Sequence, residues 1–224
     1  MAPLTRSSGA ALLHPFMLPI LARHRQLAAE DGHVGTTRLI ETWRGMELQQ
    51  ADYRLGRDDK GNVIDRAKIV TWKRPGTSWH NLQRWVRTCP DCAHFGEQHR
   101  GPANADGAVV RACVECPCAV FPDRLRTGTL KRVPASLAYH LALEEDGDEQ
   151  AGSLEGFGKN RLDPKDVARY KRLARHGRDL GLRAGADWGD FTHFELAGFP
   201  FATVEAVLNL QDGNLDTLVR PKVA

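Results

Sequence analysis

The chain has 224 residues, of which 42% are hydrophobic and 26% are charged, and its formal net charge is +3. This composition is ordinary for a soluble globular protein, and no apolar run reaches the roughly 20 residues that a membrane-spanning helix needs. The mild positive charge suits a polyanionic surface such as a cell wall and does not demand nucleic acid. We therefore expect no membrane partner and no nucleic acid partner, and we expect a monomer.

Apolar spacing and turn residues in the N-terminal part predict two helices and two strands. The predicted elements are a helix from Phe16 to Glu30, a strand from Val34 to Thr42, a helix from Met46 to Leu55 and a strand from Ala67 to Trp72. The apolar positions that indicate the first helix are Leu18, Leu21, Leu27 and Ala28. The apolar run 10–22 contains one histidine and two prolines and precedes no clear cleavage site, so it predicts the start of this helix rather than a signal peptide.

All five cysteines lie in two tight clusters in the middle of the chain. Two Cys-x-x-Cys pairs separated by a polar loop are typical of a zinc ribbon. The predicted ligands of a structural zinc ion are Cys89, Cys92, Cys113 and Cys116. Cys118 could replace Cys116, and His94 or His99 could replace a cysteine. The alternatives are a redox pair or disulfides.

The C-terminal part begins with an acidic loop, from Glu144 to Gly158. A third helix is predicted from Asp163-Pro164 to Gly181, with Asp163 as its N-cap. Its predicted buried face consists of Val167, Tyr170, Leu173, Ala174 and Leu180. In the stretch Gly185–Leu196, alternation predicts a strand with Phe194 and Leu196 on one face and His193 and Glu195 on the other. A short helix from Phe201 to Leu210 follows.

Two stretches together indicate a function. Asp190-Phe-Thr-His193-Phe-Glu195 follows an Asp-Trp-Gly turn, and Ser78-Trp-His80-Asn-Leu82 lies about 110 residues earlier. Both resemble the zinc motifs of the VanY-like (M15) peptidoglycan peptidases, which include the L-alanyl-D-glutamate endopeptidases used as phage endolysins. The order of further family residues is similar, and those residues are Arg44, Gln49, Gly56-Arg57 and Val70-Thr71. Removing about fifty residues after Leu82 joins the motif to Ser136, which places His140 where the family has an aspartate.

The resemblance implies a role for each of these residues. Zinc would be held by His80, His140 and His193. Asp190 would act as the general base, and Arg44 would stabilise the oxyanion. Gln49 and Ser78 would position the substrate or the neighbouring loop, and Glu195 would support a ligand histidine.

Alternatives remain open at this site. Glu144 or Glu145 could supply the third ligand in place of His140, and a metal other than zinc could occupy the site. The remaining histidines match no motif and are predicted to be surface residues; they are His14, His24, His33 and His176.

The expected fold is α+β, with a small antiparallel sheet and packed helices similar to the DD-peptidase and hedgehog folds. The peptidase-like domain is predicted to comprise residues 1–82 and 134–224, interrupted by a zinc-ribbon module at 83–133. The expected function is zinc-dependent hydrolysis of an amide bond in the stem peptide of bacterial peptidoglycan. L-Ala–D-Glu is the first candidate, and a bond next to D-Ala, as a carboxypeptidase would cleave, is the other. The family context implies synthesis in a host cytoplasm and action on the wall after release. The alternative is an inert peptidase scaffold whose ribbon binds cell-wall polymer or nucleic acid.

Overall fold

The structure is a computed structural model that describes residues 8–94, 99–100, 111–113, 119–120, 127–144, 164–210 and 215. Helices and small antiparallel sheets alternate along this part of the chain, so the fold is α+β. The helices are α1 (Met17–Glu30), α2 (Met46–Arg54), α3 (Pro164–Asp179) and α4 (Phe201–Leu208). Within the described residues, no helix is long and apolar enough to cross a membrane.

A four-stranded antiparallel sheet lies at the centre of the compact unit that comprises 1–82, 134–204 and 216–224. Its strands, in spatial order, are β1 (Thr37–Glu41), β7 (Ala138–Leu143), β9 (His193–Leu196) and β8 (Leu182–Ala184). Every residue of the central strand β7 is buried. Because neighbouring residues of a strand point to opposite faces, burial of a whole strand requires protein on both faces of the sheet.

Helices α1 and α3 pack on one face of the sheet, and a buried histidine forms hydrogen bonds to both the sheet and α3. His24 of α1 is fully buried, and its two ring nitrogens lie 2.9 Å from the Tyr139 hydroxyl and 2.9 Å from the Leu173 carbonyl oxygen. Its ring also contacts Phe194 edge-on, with centroids 4.6 Å apart. The prediction that His24 is a surface residue was therefore wrong.

The buried face of α1 explains this error. Its buried residues are Met17, Leu21, His24 and Ala28, which recur at the spacing of one helix face. Of the apolar positions noted in the sequence, Leu21 and Ala28 are buried, whereas Leu18 is 39% exposed and Leu27 is only half-buried. His14, just before the helix, is buried as well, contrary to prediction. In α3, by contrast, burial of Tyr170, Leu173 and Ala174 is confirmed.

The segment from Ala67 to Trp72 does not form the predicted strand. A 3₁₀ turn occupies Arg66–Lys68, and the residues after it belong to no sheet. Close backbone packing at Gly56 contributes, because a Cβ atom there would lie 2.3 Å from the carbonyl oxygen of Asp65. The Gly56 carbonyl also accepts hydrogen bonds from the N–H groups of Ile64 and Asp65, which folds this stretch back on α2 as a loop.

Contact density divides the chain into two compact units. The first comprises 1–82, 134–204 and 216–224, and the second comprises 83–133 and 205–215. Among the described residues, the second unit contains β2 (Gln83–Arg87) paired with β6 (Leu130–Pro134), of which all but the last residue belong to this unit. It also contains a three-stranded antiparallel sheet of β3 (His99–Arg100), β4 (Arg111–Cys113) and β5 (Ala119–Val120). Assignment of these units to a peptidase domain and a zinc ribbon stays a prediction.

Candidate metal centre

Two histidines and a glutamate form a row across three neighbouring strands. Glu41 of β1 is the Cα partner of His140 of β7, and His140 is the partner of His193 of β9. A bulge between Leu39 and Glu41 shifts the register of β1. Because a bulge adds one residue to one strand, Glu41 rather than Ile40 lies opposite His140. The row lies on the face opposite to Tyr139 and Phe194, as strand alternation requires.

The third histidine comes from a tight turn. His80 lies in the 3₁₀ turn Trp79–Asn81, whose N-cap is Ser78; the Ser78 hydroxyl accepts a hydrogen bond of 3.3 Å from the His80 backbone N–H. The His80 ring stacks on the His140 ring with centroids 4.9 Å apart. His80 and His140 are 2% and 1% exposed, and the His193 side chain is 12% exposed.

One nitrogen of each ring points to a common centre. His140 Nε2 lies 3.1 Å from His80 Nε2 and 3.1 Å from His193 Nδ1, and these two nitrogens are 3.4 Å apart. In a tetrahedral zinc site with Zn–N bonds of about 2.0–2.1 Å, two ligand nitrogens lie about 3.3–3.4 Å apart. The three histidines are therefore close enough to bind one metal ion.

The second nitrogen of each ring has its own partner on the outside of the cluster. These partners are the carbonyl oxygen of Thr42 at 2.7 Å from His80 Nδ1, the Glu195 carboxylate at 3.0 Å from His193 Nε2, and the Thr192 hydroxyl at 2.8 Å from His140 Nδ1. A carbonyl or carboxylate oxygen only accepts hydrogen bonds, so His80 Nδ1 and His193 Nε2 carry the hydrogens. Their inward nitrogens then present lone pairs, which is the form that ligates a metal.

Burial keeps His80 in this form. Removal from solvent lowers the pKa of the His80 imidazole from 6.5 to about 3. The charge of Glu41 opposes this shift, whereas His193 and Arg44 add to it. A neutral His80 at physiological pH leaves its inward lone pair available. The inward lone pairs of His80 and His193, whose nitrogens are 3.4 Å apart, repel each other, and a cation between them removes that repulsion. The donor set therefore fits a metal ion such as zinc.

A buried ion pair lies beside the histidines. Glu41 is 0% exposed and binds Arg44 with both carboxylate oxygens, at 2.6 Å from Nε and 2.8 Å from Nη2. Arg44 Nη1 contacts Gln49 at 3.2 Å and Asp52 at 3.5 Å. Glu41 Oε2 also lies 4.0 Å from His140 Nε2, the inward nitrogen. The predicted oxyanion residue is thus held by an acid that itself borders the metal centre.

Asp190 lies at the edge of the same cluster. Its Oδ1 is 3.8 Å from His140 Nδ1 and accepts a hydrogen bond of 3.3 Å from the Thr192 hydroxyl. Burial raises the pKa of the Asp190 carboxyl above its usual value, although His193 and Arg44 act in the opposite direction. About a third of the side chain, 34%, still contacts solvent. Asp190 therefore borders both the histidines and solvent.

Gln49 and Ser78, the residues expected to bind substrate or position a loop, are both buried. The Gln49 amide accepts from Arg44 and donates 2.6 Å to the Lys73 carbonyl and 3.3 Å to the Thr71 hydroxyl. These contacts fix the positions of Arg44 and the 71–73 loop. In a similar way, the Ser78 hydroxyl caps the turn that contains His80. Contact of either residue with substrate stays a prediction.

The first predicted zinc pair, Cys89 and Cys92, lies in a tight turn. Cys89 is 1% exposed, and the Asp91 backbone N–H points at its sulfur from 3.4 Å. The turn closes through Ala93 N–H to the Cys89 carbonyl at 2.9 Å, with Ala93 at φ 61°. No disulfide joins the two cysteines. An N–H group directed at sulfur favours a thiolate, the form that binds metal.

The second predicted cysteine pair cannot be placed in the same way. The Cys113 backbone lies in β4, where it pairs with His99 of β3. The side chain of Cys113 and the whole of Cys116 and Cys118 lie outside the described residues, as do Glu145 and the predicted N-cap Asp163. The cysteine-bound zinc ion stays a prediction.

Comparison with known proteins identifies no relative. No protein family model matches the chain, and neither a curated protein nor a solved structure matches it. A function for the chain therefore has to be argued from the geometry of the metal centre and from the motifs in its sequence.

Three residues of the centre had no place in the sequence-based prediction. Of the three, Glu41 could have been found from the sequence, because an acid three residues before Arg44 can form an ion pair with it. Thr192 stands inside the predicted motif, but only its contact with His140 shows a role for its hydroxyl. Thr42 acts through its backbone carbonyl, and a backbone contact of this kind leaves no trace in the sequence.

Proposed function

We propose that this chain is a zinc-dependent peptidoglycan peptidase that hydrolyses an amide bond of the stem peptide, with L-Ala–D-Glu as the first candidate. The observation that supports it most is the convergence of one nitrogen each from His80, His140 and His193, while the other nitrogens are held by outer partners. Three protein ligands leave the fourth position of a tetrahedral ion for water or substrate, which is typical of catalytic rather than structural zinc.

The surrounding residues suit amide hydrolysis. Zinc at this centre would supply a more acidic water and a Lewis acid for the scissile carbonyl. Asp190 would take a proton from the attacking water and deliver it to the leaving amine. Arg44, oriented by Glu41, would donate a hydrogen bond to the oxyanion as it forms. Burial raises the pKa of the Asp190 carboxyl above its usual value, which favours a group that can both accept a proton and return it.

The fold and partner are part of the same proposal. A small antiparallel sheet with helices on one face is compatible with the DD-peptidase and hedgehog type of fold. The substrate would be bacterial peptidoglycan, reached after synthesis in a host cytoplasm and release. The basic net charge of +3 favours contact with an anionic wall.

The decisive experiment is digestion of purified bacterial walls, with the products identified by mass spectrometry. Wild-type protein should release stem peptides with a new amino terminus at D-Glu. Asp190→Asn should lower the rate by at least about 100-fold, within the usual effect of a general base. The amide that replaces the carboxylate can still offer an oxygen to the Thr192 hydroxyl but lacks the negative charge, so digestion is carried out at saturating zinc to keep the metal content equal to that of wild type.

Asp187→Asn is the matched control. Asp187 lies in the same turn, is 54% exposed and pairs with Arg178 away from the histidines. This variant should digest walls at the wild-type rate. Retention of the protein on walls without any released peptide, at full zinc content, would contradict the proposal and favour an inert scaffold that binds the wall.

A further inference from the structure

The outer partner of His140 differs from those of the other two histidines. Thr42 and Glu195 present oxygens that only accept, so they settle the hydrogen position on His80 and His193 by themselves. The partner of His140 is the Thr192 hydroxyl, which can both donate and accept. Which nitrogen of His140 carries the hydrogen therefore depends on the second hydrogen-bond partner of the Thr192 hydroxyl.

The next group in this chain of hydrogen bonds is Asp190. The Thr192 hydroxyl lies 3.3 Å from Asp190 Oδ1 and 2.8 Å from His140 Nδ1. An ionised carboxylate cannot donate, so the hydroxyl donates to Asp190 and accepts from Nδ1–H of His140. This direction leaves His140 Nε2 as a bare lone pair, directed at His80 and His193.

The backbone holds this hydroxyl in place. The Thr192 carbonyl accepts a hydrogen bond of 2.9 Å from the N–H of Leu141, the residue after His140. The N–H of His193 in turn donates to the Asp190 carbonyl at 3.1 Å. Thr192 is 1% exposed, so water does not compete for its hydroxyl.

We infer that Thr192 is a positioning residue that makes His140 a metal ligand: its hydroxyl selects the His140 tautomer and links that ring to Asp190. The inference rests on the metal centre of the proposed function. Asp190 then has a second task besides proton transfer, because its negative charge orients the hydroxyl. An imidazole at this position serves as a ligand only when a neighbour accepts its outer hydrogen.

The test compares Thr192→Val with Thr192→Ser. Valine keeps the shape of the side chain and removes the hydroxyl, whereas serine keeps the hydroxyl. Zinc affinity would be measured by competition with a chromophoric chelator on the full chain. We expect Thr192→Val to raise the Kd about 10–100-fold, the usual effect of losing such a partner, and Thr192→Ser to stay within about threefold of wild type.

Cobalt substitution identifies the site that responds. Cobalt bound by three imidazoles lacks the thiolate charge-transfer bands that cysteine ligands produce, so the two kinds of site are separable by absorption. In Thr192→Val, the cobalt absorption bands that lack thiolate character should weaken, because cobalt is lost from the histidine site. A loss confined to the thiolate bands would overturn the inference.

A double-mutant cycle decides whether Thr192 acts through His140. In a His140→Ala background, titrated at zinc concentrations high enough to fill a site of only His80 and His193, Thr192→Val should cause no further loss of zinc affinity, because the ring that it orients is gone. An equal loss in both backgrounds, or wild-type affinity of Thr192→Val, would overturn the inference. None of these readouts needs hydrolysis, so failure of the peptidase proposal in wall digestion is distinguishable from failure of this one.

Discussion

The buried ion pair of Glu41 and Arg44 illustrates how single residues are constrained at this centre. Glu41 is 0% exposed and Arg44 is 4% exposed, so water screens neither charge. The pKa of Arg44 is raised by Glu41 and by Asp52 and Asp190, against the effect of its burial. Removing one partner of such a pair leaves a buried charge without compensation.

Glu41→Gln should therefore destabilise the protein by about 3–5 kcal/mol in urea-induced unfolding. Exchanging both partners, as in Glu41→Gln with Arg44→Met, should cost less than the sum of the two single variants. The matched control is Glu30→Gln, since Glu30 pairs with Arg23 at 3.5 Å with both side chains about half exposed. That exposed pair should contribute less than about 1 kcal/mol. Equal effects of the two glutamate substitutions would contradict the argument from burial.

The turn before β9 shows how an element positions two functional groups at once. Gly185 lies so close to this turn that a Cβ atom would be 2.1 Å from the Asp190 carbonyl oxygen and 2.8 Å from His193 Cβ. The Gly185 carbonyl also accepts hydrogen bonds from Trp188 and Asp190 N–H, both at 2.9 Å. Glycine is thus required here by close approach of the backbone.

Gly185→Ala should displace both Asp190 and His193. We expect a loss of about 1–3 kcal/mol in unfolding free energy, which is usual for overpacking, together with weaker zinc binding. The control is Gly32→Ala, where a Cβ atom would meet nothing within 4 Å. Wild-type zinc affinity of Gly185→Ala would show that the turn does not set the positions of these side chains.

Helix α1 contributes a titratable group to the core. Burial lowers the pKa of the His24 imidazole from 6.5 to about 4, with a weaker opposing effect from the Leu173 carbonyl and a further lowering by His176. Between these values the unfolded chain binds a proton that the folded chain does not. Stability from this group is complete above pH 6.5 and is lost as pH falls toward 4.

His24→Gln tests this titration. Glutamine can still donate to the Leu173 carbonyl and has no proton to bind in this range. Between pH 7 and pH 4, wild-type protein should lose about 3 kcal/mol more stability than the variant, from 1.36 kcal/mol per pKa unit. Urea unfolding at each pH measures the difference, and measurement at pH 8 gives the cost of the substitution itself. If the free energy of unfolding fell equally with pH in both proteins, His24 would not be the group responsible for the loss of stability.

For the whole molecule, two separate groups of metal ligands are expected in the two compact units. The three histidines belong to the first unit, and the cysteine turn belongs to the second. A metal that binds only the folded chain stabilises it by mass action, so removal of metal should lower the melting temperature. The predicted stoichiometry is two zinc ions per chain.

Elemental analysis of variants would count these ions. His140→Ala should lower zinc from two ions to one, and Cys89→Ser should do the same independently. The double variant should contain none. One zinc in both wild type and His140→Ala would mean that the histidines hold no zinc, and the peptidase proposal would fail.

Local patterns in the sequence were enough to predict several elements. The four described helices begin within one or two residues of the predicted positions, because periodic apolar residues and turn residues act over short distances. The alternation in β9 is also confirmed: Phe194 packs on His24, and His193 bonds Glu195 on the other face. The grouping of His80, His140 and His193 was implied by the resemblance of their motifs to those of the VanY-like peptidases, and the three rings do lie together.

Other features depended on contacts between distant parts of the chain. The bulge in β1 brings Glu41 opposite His140, and pairing of β7 with β9 brings Thr192 to the outer nitrogen of the same ring. His24 is buried because its helix face meets β7 and β9, whereas the lack of a matching motif had led to the prediction of a surface position. Strand register and helix packing decide which ring nitrogen meets which oxygen, and these long-range contacts have no local signal in the sequence.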